Sequence, residues 1–146
     1  VDRECQLCIE DIGVGTELPS LTKEPTYMQL VEYAGASRDF YVIHHDRDYA
    51  KSVGLPDVIV QGSLKGAFLG QLVTDWIGEE GTLVRLGVQY RGVDPPGQRL
   101  VARGVVTSVS SESGRYFAEC DLWIENEAGE RTTRGSATVR LPGPRM

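Results

Sequence analysis

The stretch Gly62-Ser63-Leu64-Lys65-Gly66-Ala67-Phe68-Leu69-Gly70-Gln71-Leu72-Val73-Thr74-Asp75-Trp76-Ile77 decides how the rest of the chain is arranged. Leu64, Ala67, Phe68, Leu72 and Val73 recur at helical intervals, and Leu69 and Trp76 widen the apolar arc. A helix so apolar in a globular chain is expected to be buried on most sides. At a rise of 1.5 Å per residue it would be ~24 Å long, enough to run the length of a small sheet. Gly62 falls at its start, just after the apolar run Val58-Ile59-Val60. Free backbone N–H groups there, at the positive end of the helix dipole, suit an oxygen that gains negative charge.

Downstream of the helix the hydrophobic period changes to two. Leu83 to Arg91, Arg99 to Ser110, Arg115 to Glu125 and Arg131 to Leu141 read as four strands. Turn-forming residues separate them, at Asp94-Pro95-Pro96-Gly97, Ser111-Glu112-Ser113-Gly114 and Asn126-Glu127-Ala128-Gly129-Glu130. The simplest expectation is a hairpin-linked antiparallel meander. Upstream, residues 1 to 15 read as an irregular lead-in, and Thr16 to Lys23 as a first strand that Pro19 interrupts, placing it at an edge or bending it. Thr26 caps a helix through Met28 to Ala34 that stops at Gly35, and Asp46 to Val53 reads as a short helix closed by Gly54 and Pro56. One sheet with a long apolar helix to cover makes an α+β architecture, and we expect a single domain over residues 1 to 146.

Between the first two helices lies Ser37-Arg38-Asp39-Phe40-Tyr41-Val42-Ile43-His44-His45-Asp46. A carboxylate and an imidazole that meet in a folded site can orient one another and share a proton at neutral pH, so Asp39 and His44 are the candidate acid–base pair. An Asp and a His in such a loop otherwise serve as solvated caps and turn formers. His45 is expected to be structural, because neighbouring residues do not face the same way.

Taken together, this loop, the apolar run and the glycine at the helix start resemble the MaoC-like (R)-specific enoyl-CoA hydratases and dehydratases. Their pattern is a helix, [ST]-G-D-x-N-P-x-H, an amphipathic stretch, then A-H-G-M at the start of a long helix. Here the corresponding residues are Ser37-Arg38-Asp39-Phe40-Tyr41-Val42-Ile43-His44 and Val60-Gln61-Gly62-Ser63. Arg38 to Ala50 is further similar to subunits of actinobacterial steroid side-chain enoyl-CoA hydratases, and the resemblance runs from about Glu17 to Leu141. It implies the hot-dog fold, an antiparallel sheet wrapped around a central helix. It also implies that Asp39 and His44 handle water and proton while the Gly62 N–H holds a thioester carbonyl. Tyr41, which stands where the family has Asn, either hydrogen-bonds substrate or fills the pocket. Gln61 and Ser63 either touch the acyl chain or cap the helix, with capping favoured for Ser63.

By the same resemblance the substrate is an acyl-CoA or acyl-carrier-protein thioester, no metal or redox cofactor is implied, and the chain forms a homodimer or pairs with a second hot-dog subunit. Two other activities remain open at this point: a hot-dog thioesterase, and a non-catalytic partner subunit. The altered residues Tyr41, Val42 and Gln61 favour the second and the retained Asp39 and His44 oppose it.

Composition narrows the remaining classes. A formal charge of -6 argues against a nucleic-acid or acidic-membrane partner, since phosphate binding relies on Lys and Arg. Asp2, Arg3, Glu4 and Glu10 interrupt any apolar leader, and no stretch approaches the ~20 apolar residues of a membrane span, so a cytoplasmic chain is expected. Cys5-Gln6-Leu7-Cys8 is formally a C-x-x-C, yet no second Cys or His pair completes a four-ligand zinc site. The pair is expected to be reduced thiols in an extended segment, and Cys120 a sheet or core residue.

Overall fold

A computed structural model of the chain describes residues 6–145. Five strands, β1 (Leu21–Lys23), β2 (Thr82–Tyr90), β3 (Leu100–Glu112), β4 (Arg115–Glu125) and β5 (Arg131–Leu141), form one antiparallel sheet. Three helices, α1 (Tyr27–Ser37), α2 (Arg47–Ser52) and α3 (Gly62–Ile77), complete it. The sheet wraps α3, whose Leu64, Phe68, Leu69, Leu72, Val73 and Ile77 are all buried against the alternate, inward residues of the strands. Each such side chain contributes about 1.5–3 kcal/mol when fully buried, so α3 anchors the core. This is the hot-dog arrangement. At Gly135 on β5 the helix comes so close that a Cβ would lie 3.0 Å from Leu69 Cδ1. None of the helices among the described residues is long and apolar enough to cross a membrane.

The strand order is β1-β3-β4-β5-β2, which corrects the expected meander. β2 does not turn back onto β3; it crosses the fold and pairs with β5, Leu86 opposite Ala137. The reason lies in the connection 91–99. Arg91 and Gly92 both donate to the Thr132 carbonyl, and Asp94 and Gly97 are then drawn away from the sheet: the Asp94 carbonyl accepts from Val60 N–H at 2.8 Å, and Gly97 donates to the Pro25 carbonyl at 2.8 Å. Residues with turn propensity here make a long crossing held by the helical side of the molecule.

The Asp94 carboxylate is buried with Lys65 of α3, each about 1–2% exposed. Lys65 Nζ donates to Asp94 Oδ2 and to the Gly92 carbonyl, both at 2.9 Å, and Thr132 donates to the same carboxylate oxygen at 2.6 Å. Helix, crossing and β5 thus meet at one ion pair.

Three further expectations change. The first strand covers only Leu21–Lys23, preceded by an isolated bridge from Glu17 to Val105, because Pro19 interrupts the ladder between them. Helix α1 runs through Gly35 to Ser37 and ends with Arg38 in the left-handed region, φ 59°. The lead-in is ordered over its described part: Ile9–Asp11 form a 3-10 turn, with Gln6, Cys8 and Ile9 buried. Cys8 has the extended backbone and free thiol expected of it, but it is buried, whereas Cys5 lies outside the described residues. Cys120 is buried in the core, where burial pushes its thiol up to about 11.

Replacing Lys65 by Ala would leave the Asp94 carboxylate buried without a cation. The expected result is a loss of about 3–5 kcal/mol in urea unfolding, because breaking one partner of a buried pair strands the other. A loss below about 1 kcal/mol would mean that the pair is not desolvated as described.

Candidate active site

Helix α1 is started by Thr26, whose hydroxyl accepts from Gln29 N–H at 3.1 Å, and it delivers the chain to Asp39. At its end Ser37 donates to the Tyr33 carbonyl and accepts from Asp39 N–H, so the backbone of Asp39 is tied to the last turn of the helix. Asp39 Oδ1 accepts from Tyr41 N–H at 3.4 Å, a side-chain turn that starts the 3-10 turn Val42–His44. This brings His44 back beside Asp39: His44 Nε2 lies 3.7 Å from Asp39 Oδ2. The imidazole is nearly buried and the carboxylate is 37% exposed, so the pair opens to solvent from the Asp39 side.

His44 Nδ1 is 2.7 Å from the Ile59 carbonyl. A carbonyl oxygen can only accept, so the proton of the neutral ring sits on Nδ1 and the Nε2 lone pair faces Asp39. The reciprocal bond from Ile59 N–H to the Ile43 carbonyl, 3.2 Å, locks the two segments together. Two acceptors 3.7 Å apart do not hydrogen-bond each other. They converge on a position that a molecule with two polar hydrogens can fill.

Ile59 also carries the chain to the start of α3, three residues on. Gln61 occupies the cap position but its side chain gives the helix no cap bond. It is fully buried, its Nε2 donates to the Leu30 carbonyl of α1 at 2.8 Å, and its Oε1 has no partner among the described residues. Ser63, expected to cap, is exposed and lies inside the first turn, where its hydroxyl is past the cap position. Among the described residues, the first N–H groups of α3, that of Gly62 foremost, are therefore without a side-chain cap. Tyr41 is 56% exposed, its ring edge-on to His44 at 6.1 Å. His45 has the structural role expected: its ring bonds the Phe40 carbonyl at 3.2 Å and its own carbonyl accepts from the Tyr27 hydroxyl.

Two contributors were not found from sequence. The Ile59 carbonyl that sets the His44 tautomer is a backbone atom and carries no residue signature. Lys65 did leave one: a cation inside the apolar arc of α3, beside Leu64 and Leu69, has to find a buried anion.

Comparison with known proteins places the chain among relatives. A family model described as "MaoC like domain" matches residues 14–119. The 3-oxo-4,17-pregnadiene-20-carboxyl-CoA hydratase beta subunit of Mycobacterium tuberculosis is 35% identical over 103 residues, covering 66% of this chain and 75% of that protein. Among solved structures, the ChsH1-ChsH2 complex from Mycobacterium tuberculosis superposes with a TM-score of 0.79 at 25% identity, over 88% of this chain and 98% of that one. The unliganded R-hydratase PhaJ1 from Pseudomonas aeruginosa gives 0.84 at 19% identity, over 95% and 88%, a likeness of fold.

The tautomer can be read directly. In nitrogen-15 spectra of the neutral protein, His44 is expected to carry its proton on Nδ1, unlike the Nε2 form that free neutral imidazoles favour. An Nε2-protonated His44 would remove the lone pair from the face shared with Asp39.

Proposed function

Because the chain belongs to the MaoC-like domain family, we propose that it adds water to, or removes it from, the 2,3 bond of an enoyl thioester, with Asp39, His44 and the Gly62 N–H as its working groups. The observation that carries this reading is the His44 tautomer. Its Nδ1–H is held by the Ile59 carbonyl, which leaves the Nε2 lone pair and the Asp39 carboxylate as two acceptors facing one another.

In the hydration direction, a water donates one hydrogen to each acceptor and presents its oxygen lone pair to C3. As the oxygen–C3 bond forms, the dyad takes one proton and the π electrons move through C2 to the thioester oxygen. The Gly62 N–H, at the positive end of α3, receives that developing charge. Collapse of the enolate takes the proton back from the dyad at C2, on the face the water attacked, so addition is syn. Dehydration is the same path reversed. Gln61 contributes by tying the helix start to α1, and Tyr41, edge-on to His44 at the open side, bounds the bound thioester.

A two-chain form of the enzyme also has support. The relative from Mycobacterium tuberculosis is described as a beta subunit, and the solved ChsH1-ChsH2 structure is a complex of two proteins. Among the described residues β2 pairs only with β5, so one edge of this nine-residue strand is available to a second hot-dog sheet. We take the partner to be another hot-dog chain, a second copy or a different sequence.

The test is to incubate the purified chain with trans-2-enoyl-CoAs and with the matching carrier-protein thioesters, and to follow loss of enoyl absorbance together with thiol release. Loss of the enoyl signal without thiol is expected. Asp39→Asn and His44→Ala should each lower kcat about 100- to 10,000-fold while the fold is kept by circular dichroism. Thiol release would make the protein a thioesterase. Activity that appears only after a second hot-dog chain is added, and survives both substitutions, would make it the non-catalytic member of a pair.

A further inference from the structure

Three glycines four residues apart, Gly62, Gly66 and Gly70, leave one face of α3 without side chains. That face is covered by β2. A Cβ at Gly62 would lie 3.1 Å from the ring of Tyr90; at Gly66, 3.2 Å from the Tyr90 hydroxyl and 3.8 Å from Val88; at Gly70, 3.7 Å from Leu86. Tyr90, Val88 and Leu86 are alternate residues of the strand, so they descend the glycine face as β2 runs antiparallel to the helix. Val88 and Leu86 pack on the core, while Tyr90 remains 51% exposed at the rim. Its ring thus rests on the same helical turn whose first N–H is the candidate thioester donor.

We propose that Tyr90 is a specificity-determining residue: its ring walls the β2 side of the helix start and decides which acyl groups the site accepts. The inference rests on the hydratase reading above. A thioester whose carbonyl oxygen meets the Gly62 N–H has its acyl chain leaving from within a few ångströms of that turn. Along the glycine face its way is filled by Tyr90, then Val88, then Leu86. The chain is directed instead toward the dyad loop, where Phe40 and Tyr41 are exposed. Small or slender acyl groups fit beside the ring, and branched or ring-bearing groups meet it. The tyrosine also bears on the glycine at position 62, because a Cβ there would press on the ring at 3.1 Å and require it to shift.

The experiment compares wild type, Tyr90→Ala and Tyr90→Phe on crotonyl-CoA and on a branched or ring-bearing enoyl-CoA, and measures the affinity of the matching saturated acyl-CoAs by calorimetry. Tyr90→Ala is expected to raise kcat/KM for the bulky substrate relative to crotonyl about tenfold or more, with the saturated ligands shifting in the same direction. Tyr90→Phe, which keeps the ring, should hold the wild-type ratio within about twofold. An unchanged ratio in Tyr90→Ala, or an equal shift in Tyr90→Phe, overturns the proposal. If wild type hydrates nothing, alone or with a second hot-dog chain, yet the calorimetric preference shifts in Tyr90→Ala, the acyl wall stands and the hydratase reading fails. If wild type hydrates and neither ratio moves, the reverse holds. If no acyl-CoA binds at all, both fall. As an independent check of the packing, Gly62→Ala should lower Tm, and Gly62→Ala with Tyr90→Ala should recover it; no recovery would show that the ring is not what excludes a side chain.

Discussion

The ion pair of Lys65 and Asp94 is the constraint on which the arrangement of the site depends. It joins the second turn of α3 to the crossing between β2 and β3, and Thr132 brings β5 to the same carboxylate. The Asp94 carbonyl meanwhile holds Val60, the last apolar residue before Gln61 and Gly62. A buried pair of this kind adds little net stability compared with an apolar replacement, since both charges have been taken out of water. What it supplies is registry: only one placement of the helix start lets both charges find each other and the Gly92 carbonyl. One oxygen, Asp94 Oδ1, has no partner among the described residues, as is also true of Gln61 Oε1 and Thr133 Oγ1.

From that junction outward the site is assembled mostly by backbone groups. The Ile59 carbonyl orients His44, the Ile43 carbonyl receives Ile59 N–H, and the Leu30 carbonyl holds the Gln61 amide. Such contacts tolerate change in the side chains around them. Tyr41, Val42 and Gln61 can thus differ from the family pattern while the spacing of Asp39, His44 and Gly62 is preserved and the pair still meets.

This division explains what the sequence made legible. The span of α3 and the bounds of β4 and β5 follow from hydrophobic period and from glycines and turn residues at their ends, and the structure has the same bounds. The meeting of Asp39 and His44 follows from the resemblance to the family pattern, since the spacing alone fits a solvated loop equally well. Which strand β2 pairs with does not follow from the local residues, because Asp94-Pro95-Pro96-Gly97 has local turn propensity whether or not the chain reverses there. At the end of α1 the reverse holds: the helix passes through Gly35, which has no need of a special backbone there, and the left-handed position falls on Arg38 instead. Ser63 has the chemistry of a cap but sits inside the first turn, and the residue at the cap position is a buried glutamine.

The pairing of β2 with β5 has a consequence for how the chain reaches this structure. Leu83 finds its partner at Val139 and Leu21 at Ala102, so both outer strands of the sheet depend on contacts distant in sequence. Closing such loops costs entropy before any contact rewards it, which places the protein among slower-folding topologies. During synthesis α3 and β2 emerge well before β5, and the apolar arc of the helix must wait for its sheet. Only the β3–β4 and β4–β5 hairpins are local enough to form at once, which makes them the natural nucleus onto which the helix and the two outer strands later close.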